Sequence, residues 1–155
     1  MHRRVSTPQI SIVIPAYVST PRQADLLDET LATVDRQDHD RYEVIVVDDG
    51  SPIPVARILT CHRRATVISR KNGGSAVARN TGIAASGGEA LVFLDADDHL
   101  LPDALATGWT QLSPHREYGF VVGPHDEMSF EGGPGAVGRR RSGDNLESVP
   151  YAPRL

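Results

Sequence analysis

The sequence predicts an α/β fold, a doubly wound, mostly parallel sheet with flanking helices, and three observations carry that prediction. Short β-branched runs alternate with segments whose apolar residues recur at helical spacing, the order expected of right-handed βαβ crossovers. One run, Val44 to Val47, is apolar without a break, as a strand covered on both faces requires. The composition suits one globular domain: of 155 residues, 39% are hydrophobic and 23% charged. A chain of this size buries roughly 70% of the surface its unfolded form exposes, enough for a core without staples.

Ile10 to Ile14 reads as the first strand, closed by Pro15, which cannot donate to a ladder. After a polar loop with Pro21, the positions Leu26, Leu27, Thr30, Leu31 and Val34 recur with helical period and predict an amphipathic helix over about 23–37. Glu43 to Val47 is the second strand and runs into Asp48-Asp49-Gly50-Ser51-Pro52. A weaker helix over about 53–62 leads to a strand at Ala65 to Ser69. Asn72-Gly73-Gly74 then opens a helix with Ala76, Val77, Ile83 and Ala84 on one side, and Gly87-Gly88 ends it. Leu91 to Leu94 is the fourth strand, terminated by Asp95-Ala96-Asp97-Asp98, and Pro102 sits where the first turn of a further helix accepts it. A fifth strand, Gly119 to Gly123, completes the pattern. From about Ser129 apolar periodicity is lost, through Glu131-Gly132-Gly133-Pro134-Gly135 and Arg139-Arg140-Arg141-Ser142-Gly143. Residues 1–8 are therefore expected to be a flexible N-terminus, 9–128 the folded domain and 129–155 a disordered tail.

Several function classes are set aside by composition. The single cysteine, Cys61, forms no intramolecular disulfide, and no Cys/His spacing matches a zinc site. Apolar runs such as Val44 to Val47 and Ala90 to Leu94 fall far short of the roughly 18 residues that cross a bilayer. Met1 to Ser6 carries two arginines and no apolar stretch of the signal-peptide kind, so the expected location is cytoplasmic, with peripheral contact to a membrane left open. A net charge of -4 gives no general attraction to nucleic acid.

Two of the strands end in acids: Asp48 and Asp49 close one, and Asp95, Asp97 and Asp98 close another. In an open α/β sheet ligands bind outside the carboxyl ends of the strands, where strand order reverses. Either cluster alone is well explained as a helix N-cap or an Asx-turn. Two such clusters, separated by a glycine-opened helix, point instead to a shared cation, because crowded carboxylates repel unless a cation or a set of donors lies between them. Oxygen ligands in an Asp-x-Asp spacing favour Mg²⁺ or Mn²⁺ over zinc, with substrate phosphates completing the shell.

Four motifs in order then resemble the family 2 glycosyltransferases of GT-A (Rossmann-like) fold: Ile12-Val13-Ile14-Pro15-Ala16-Tyr17, Glu43-Val44-Ile45-Val46-Val47-Asp48-Asp49-Gly50-Ser51, Asn72-Gly73-Gly74 with Ala78-Arg79-Asn80-Thr81-Gly82, and Phe93-Leu94-Asp95-Ala96-Asp97-Asp98. The resemblance covers about residues 9–125, the nucleotide-sugar-binding half. It implies a nucleotide-diphosphate-sugar donor, a UDP-sugar first of all, a divalent cation, and inverting transfer to the hydroxyl of a glycan, lipid or protein acceptor. On that resemblance Pro15, Ala16 and Tyr17 form the base-binding wall, Asp49 contacts the base and Asp48 lies nearby. Asp95 and Asp97 match the DxD motif, with Asp97 the main metal ligand and Asp95 on the ribose or the metal's waters. Arg79 either approaches the diphosphate or braces the acids as a partner of Asp95.

The match departs from the family in two places. The family commonly carries Asn after the tyrosine, where this chain has Val18. Its general base lies far beyond the DxD motif, and neither Asp126 nor Glu127 matches that position, so no catalytic base is assigned. The chain is accordingly expected to be a donor-binding half cut short, and the alternative to an active transferase is a nucleotide-sugar-binding domain without turnover. A nucleotidyltransferase fits less well, because Pro15-Ala16-Tyr17-Val18-Ser19 lacks the glycine-rich loop after the first strand, and a receiver domain would carry its paired acids on that strand. His2, His39, His62, His99, His115 and His125 show no ligand spacing, Cys61 reads as a small, partly buried residue near a helix end, Trp109 as packing, and Arg139 to Arg141 as a solvated run.

Overall fold

The computed structural model describes residues 7–123 and, as backbone, the strand at 147–150. The chain divides after Leu105 into two compact units, each described by itself. The first holds a four-stranded parallel sheet built from β1 (Ile10–Ala16), β2 (Tyr42–Asp48), β3 (Ala65–Ser69) and β4 (Ala90–Phe93) in the order β3-β2-β1-β4. Ile12, Val13, Ile14, Val46 and Val47 are wholly buried, as central parallel strands must be when both faces are covered.

β1 runs two residues past its expected end, straight through Pro15. The reason lies in which neighbour each residue addresses. The Val13 carbonyl accepts from Leu94 N–H on the β4 side, and the Ala16 carbonyl accepts from Asp49 N–H on the β2 side. Pro15, two residues after Val13, therefore turns its missing N–H toward β4, whose pairing with β1 has already stopped at Val13↔Phe93. No ladder bond is lost.

Helix α1 (Pro21–Asp35) begins where Pro21 takes the first helical position behind the N-cap Thr20. Thr20 and Gln23 form a reciprocal capping box, which starts the helix two residues before the apolar period alone suggests. Its buried stripe is Leu27, Thr30, Leu31, Thr33 and Val34. Between β2 and β3 the weak helix is four residues, α2 (Val55–Ile58), continued by a 3₁₀ turn, Leu59–Cys61. Cys61 is exposed there rather than partly buried, since the turn's contact with the core is made by Leu59. His62 follows, 7% exposed, with Nδ1 2.5 Å from Asp35 Oδ2 and Nε2 3.0 Å from Asp28 Oδ1. Burial alone lowers the pKa of this imidazole, but the two carboxylates outweigh it and hold the pKa above the ordinary histidine value.

Helix α3 (Ser75–Ala85) carries the chain from β3 back across β2 and β1 to β4. The face predicted to be buried is the wrong one: Ala76, Val77, Ile83 and Ala84 are exposed, and the sheet-facing residues are Ala78 and Gly82. Ala78 packs with Ile45 and Val47, and a Cβ at position 82 would run into Val13 Cγ1 and lie 3.1 Å from Cγ2. Small residues four apart let the helix backbone approach the sheet, so the apolar residues are left on its outer side.

Helix α4 (Ala104–Leu112) precedes β5 (Tyr118–Val122). β5 does not extend the parallel sheet, as the alternating pattern suggests. It pairs antiparallel with β6 (Glu147–Pro150) in a separate two-stranded sheet. Phe120 and Val122 are each about half exposed, which fits a ribbon and not the interior of a parallel sheet. Of the stretch read as a tail, 129–155, these four residues of β6 are the ones described; the remainder, with His2, His125, Asp126, Glu127 and Arg139 to Arg141, lies outside the described residues.

Two measurements probe this architecture. Gly82→Ala is expected to lower the unfolding free energy in urea by about 1 to 3 kcal/mol through overpacking, against a smaller gain in helix propensity, and Val13→Ala in the same chain should recover part of the loss. His62 has a folded pKa above its unfolded one, so the stability it contributes is complete below about pH 6.5 and is lost as pH rises through the folded value. The stability difference between the parent protein and His62→Gln should therefore shrink with rising pH; a difference constant from pH 5 to 9 would show that the imidazolium is not the stabilising form.

Candidate functional site

The strand order places a switch point at β1: the chain steps outward from β1 to β2 and β3, then crosses to the opposite side for β4. A cleft of about 300 Å³ opens outside the carboxyl ends of β1 and β4, where such a sheet binds ligands. Pro15 and Tyr17 line it from the end of β1, Ser75 and Arg79 from the first turns of α3, and Asp95 and Asp97 from the turn after β4. Gln23 and Leu26 of α1 complete the wall. Tyr17 is 48% exposed, an aromatic residue at the cleft that is open to solvent.

The acids of the cleft are unequal. Arg79 Nη2 lies 2.5 Å from Asp95 Oδ1, an ion pair in which both side chains keep contact with solvent. Asp97 is exposed and, among the described residues, has no hydrogen-bond or ion-pair partner. Burial, and then the charges of Asp97 and Asp95, push the Asp98 carboxyl up from its ordinary value, with His99 opposing. Partial desolvation and neighbouring like charges both disfavour the ionised carboxyl.

The other acidic pair is consumed inside the scaffold. Asp48 Oδ1 accepts from Ser51 N–H at 2.9 Å, and Oδ2 from the Ser69 hydroxyl at 3.4 Å. Asp49 is 4% exposed, and its oxygens accept from Gly73 N–H at 3.0 and 3.1 Å, from Gly74 N–H at 2.7 Å and from the Arg70 guanidinium. Burial would raise the pKa of Asp49, but the two backbone donors and Arg70 more than reverse it and hold the carboxyl below its usual range. The carboxylate thereby ties β2 to the loop that opens α3. Gly74, at φ 88°, makes the turn into the helix with a backbone that only glycine adopts without strain.

Sequence comparison decides the assignment. The profile of glycosyl transferase family 2 matches residues 11–141. The chain belongs to that family. The succinoglycan biosynthesis protein ExoW of Rhizobium meliloti is 35% identical over 112 residues, 68% of this chain and 34% of that protein. Among solved structures, Staphylococcus aureus TarS 1–349 in complex with UDP superimposes with a TM-score of 0.67 at 23% identity, covering 81% of this chain and 37% of that one. The mannosyltransferase PcManGT of Pyrobaculum calidifontis, solved with GDP-Man and Mn²⁺, gives a TM-score of 0.54 at 29% identity over 64% of this chain and 30% of its own. The chain thus spans about a third of the length of these proteins.

Of the residues read from the sequence as site residues of a family 2 transferase, Pro15, Tyr17, Arg79, Asp95 and Asp97 meet in the one cleft. Ala16 is buried, with its carbonyl occupied by Asp49 N–H, and Asp48 and Asp49 hold loops as described. Val18, where the family commonly has Asn, is 1% exposed; its N–H donates to Ser51 Oγ at 2.9 Å and its carbonyl accepts from Ile53 N–H at 3.0 Å. Backbone bonds that any residue supplies thus join the loops after β1 and β2. Arg70, Ser75 and Gln23 went unread. Arg70 and Ser75 flank the Asn72-Gly73-Gly74 motif, and Gln23 shows itself only as the third residue after Thr20 in a capping pattern.

Asp49→Ala leaves two backbone donors and a guanidinium without their acceptor, and is expected to cost about 2 to 4 kcal/mol of unfolding free energy. Because the folded pKa of Asp49 is depressed, that contribution exists above the ordinary carboxylate range and disappears as pH falls through the folded value. Amide exchange at Gly73 and Gly74 should quicken well beyond the global effect; unchanged exchange there would refute the tether.

Proposed function

We propose that this family 2 domain binds a nucleotide-diphosphate sugar, a UDP-sugar first of all, together with Mg²⁺ or Mn²⁺, and serves transfer of the sugar to an acceptor hydroxyl with inversion. The observation that carries the reading is the cleft at the β1/β4 switch point, where an exposed aromatic ring, a guanidinium and a carboxylate without a partner face one space. Tyr17 offers its ring to the base, with Pro15 beside it. Arg79 and the first turn of α3, at Ser75, present positive charge and helix-terminal dipole to the diphosphate.

The donor set suits a hard divalent cation. Among the described residues no three His, Cys, Asp or Glu side chains are grouped to hold an ion by themselves. Mg²⁺-like ions are commonly held by one or two carboxylates, with substrate phosphates and water making up the rest. Asp97 is the foremost ligand in this reading and Asp95 the second, its approach shared with Arg79. A cation bound there neutralises the charge that develops on the departing diphosphate. Arg79 keeps Asp95 oriented and adds a second positive charge on the same side of the cleft. Inversion in one displacement also requires a group that takes the hydroxyl proton, and among the described residues none is assigned that part. The Mn²⁺ and GDP-Man held by the related PcManGT support both the cofactor and the ligand class. No helix among the described residues is long and apolar enough to cross a membrane.

Calorimetry with UDP and with GDP, each with and without Mn²⁺, tests the reading, alongside a donor-hydrolysis and transfer assay. Asp97→Ala is expected to abolish the Mn²⁺-dependent part of nucleotide binding with the circular dichroism unchanged. Affinity equal to that of the parent protein would remove Asp97 from the metal site.

A further inference from the structure

The acidic turn after β4 is held in place by a polar stripe on α1. Thr30 Oγ1 donates to the carbonyl of Ala96, the residue between Asp95 and Asp97, at 3.1 Å. One turn on, Thr33 Oγ1 accepts from Leu100 N–H at 3.1 Å and donates to the Thr30 carbonyl at 2.7 Å. Past the helix end, Gln37 donates from Nε2 to the Leu101 carbonyl at 2.7 Å and accepts at Oε1 from Leu105 N–H at 3.1 Å, while Asp38 N–H donates to the Pro102 carbonyl at 3.0 Å. Residues 96–105 are thus fastened at five points, two on α1 and three on Gln37 and Asp38 just past its end.

Each of these bonds falls on backbone of the turn, so none occupies a carboxylate. The two acids of the cleft differ in how they are otherwise restrained: Asp95 has Arg79, and Asp97 has no side-chain partner among the described residues. The direction in which Asp97 leaves the turn therefore depends on the peptide that precedes it, and Thr30 is the side chain that holds that peptide. Thr30 is 0% exposed, which removes water as a competitor for the bond and gives the hydroxyl one geometry.

We infer that Thr30 is a positioning residue for the metal-binding turn: its hydroxyl sets the Ala96 carbonyl, and through it the placement of Asp97. This rests on the cleft being a metal and nucleotide site, as proposed above. Thr33, Gln37 and Asp38 hold the distal part of the same loop, so Thr30 is the one member of the stripe that acts on the acidic turn directly.

The test uses the full chain and two variants. Thr30→Val keeps the shape and removes the hydroxyl, and Thr30→Ser restores it. Amide exchange across residues 96–100 is measured without ligand, and UDP affinity is measured with and without Mn²⁺. Thr30→Val should speed exchange in that segment and weaken Mn²⁺-dependent UDP binding about fivefold to tenfold, the scale of one hydrogen bond, leaving metal-free UDP binding unchanged. Thr30→Ser should bring both readings back toward the parent values. Unchanged exchange in Thr30→Val, faster exchange with unaltered Mn²⁺-dependent affinity, or an equal loss with and without Mn²⁺ would each overturn the inference. If the parent protein itself shows no Mn²⁺-dependent binding, the reading of the site fails, and the inference with it; if the parent binds and Thr30→Val matches it, the inference alone fails.

Discussion

How closely α3 lies on the sheet is limited by its sheet-facing residues, and the rest of the site is arranged around that distance. Ala78 over Ile45 and Val47, and Gly82 over Val13, leave no side chain to hold the helix away. A larger residue at either position would lift or tilt the helix, because neighbouring core atoms in a close-packed interior move only partly to make room. Arg79 follows Ala78 directly and projects from a backbone that this contact fixes, which is how its guanidinium comes within 2.5 Å of Asp95 at the far end of β4. The same placement brings Ser75, one turn earlier, to the cleft wall. A crossover spanning two strands thereby acquires the accuracy of a single packed contact.

Charge is distributed in the same economical way. Five aspartates lie at the carboxyl ends of β2 and β4, Asp48 and Asp49 at one and Asp95, Asp97 and Asp98 at the other, and burial treats Asp48 and Asp49 differently from Asp95 and Asp97. Asp48 and Asp49 are desolvated, so they persist as anions only because backbone N–H groups, hydroxyls and Arg70 replace water around them. Their negative charge is used to hold loops. Asp95 and Asp97 remain in contact with solvent, and among the described residues Arg79 pairs with Asp95 and not with Asp97. Negative charge is therefore concentrated where the strand order reverses, and the pKa of Asp98 is raised there first by burial and then by the charges of Asp97 and Asp95. The asymmetry separates a buried pair with internal donors from a solvent-facing pair, although both read as acids after an apolar strand.

The parallel sheet, its crossover helices and the acids after β2 and β4 were legible in the sequence because each depends on local pattern, a β-branched run, an apolar period or an acid after a strand, whereas Pro15, Tyr17 and Arg79 enter only through the resemblance of their motifs to family 2. What was not legible depends on partners distant in the chain. Hydropathy points to Ala76, Val77, Ile83 and Ala84 as the buried face of α3, whereas the sheet accepts Ala78 and Gly82, because closeness of approach and not hydrophobicity selects that face. The strand character of Tyr118–Val122 was visible, but its antiparallel partner lies some 25 residues on, at Glu147–Pro150, in a stretch without apolar periodicity. The Asp28, Asp35 and His62 cluster went unread for the same reason, since spacing along the chain says nothing of a histidine caught between two carboxylates on another helix.

Thr30 shows how a residue can satisfy one pattern while serving another. The apolar period counts it with Leu27, Leu31 and Val34, and it is indeed as buried as they are. A valine would meet the same count. The hydroxyl matters because the α1 face carrying it meets two surfaces: the sheet, which asks only for apolar volume, and the loop after β4, whose backbone groups need partners once water is excluded. A helix bordering both must carry polar atoms inside its buried stripe, and threonine provides one with little loss of packing. The order of the acidic turn is thus a property of α1 as much as of the turn, and the geometry of Asp97 is set by a side chain 67 positions earlier in the sequence.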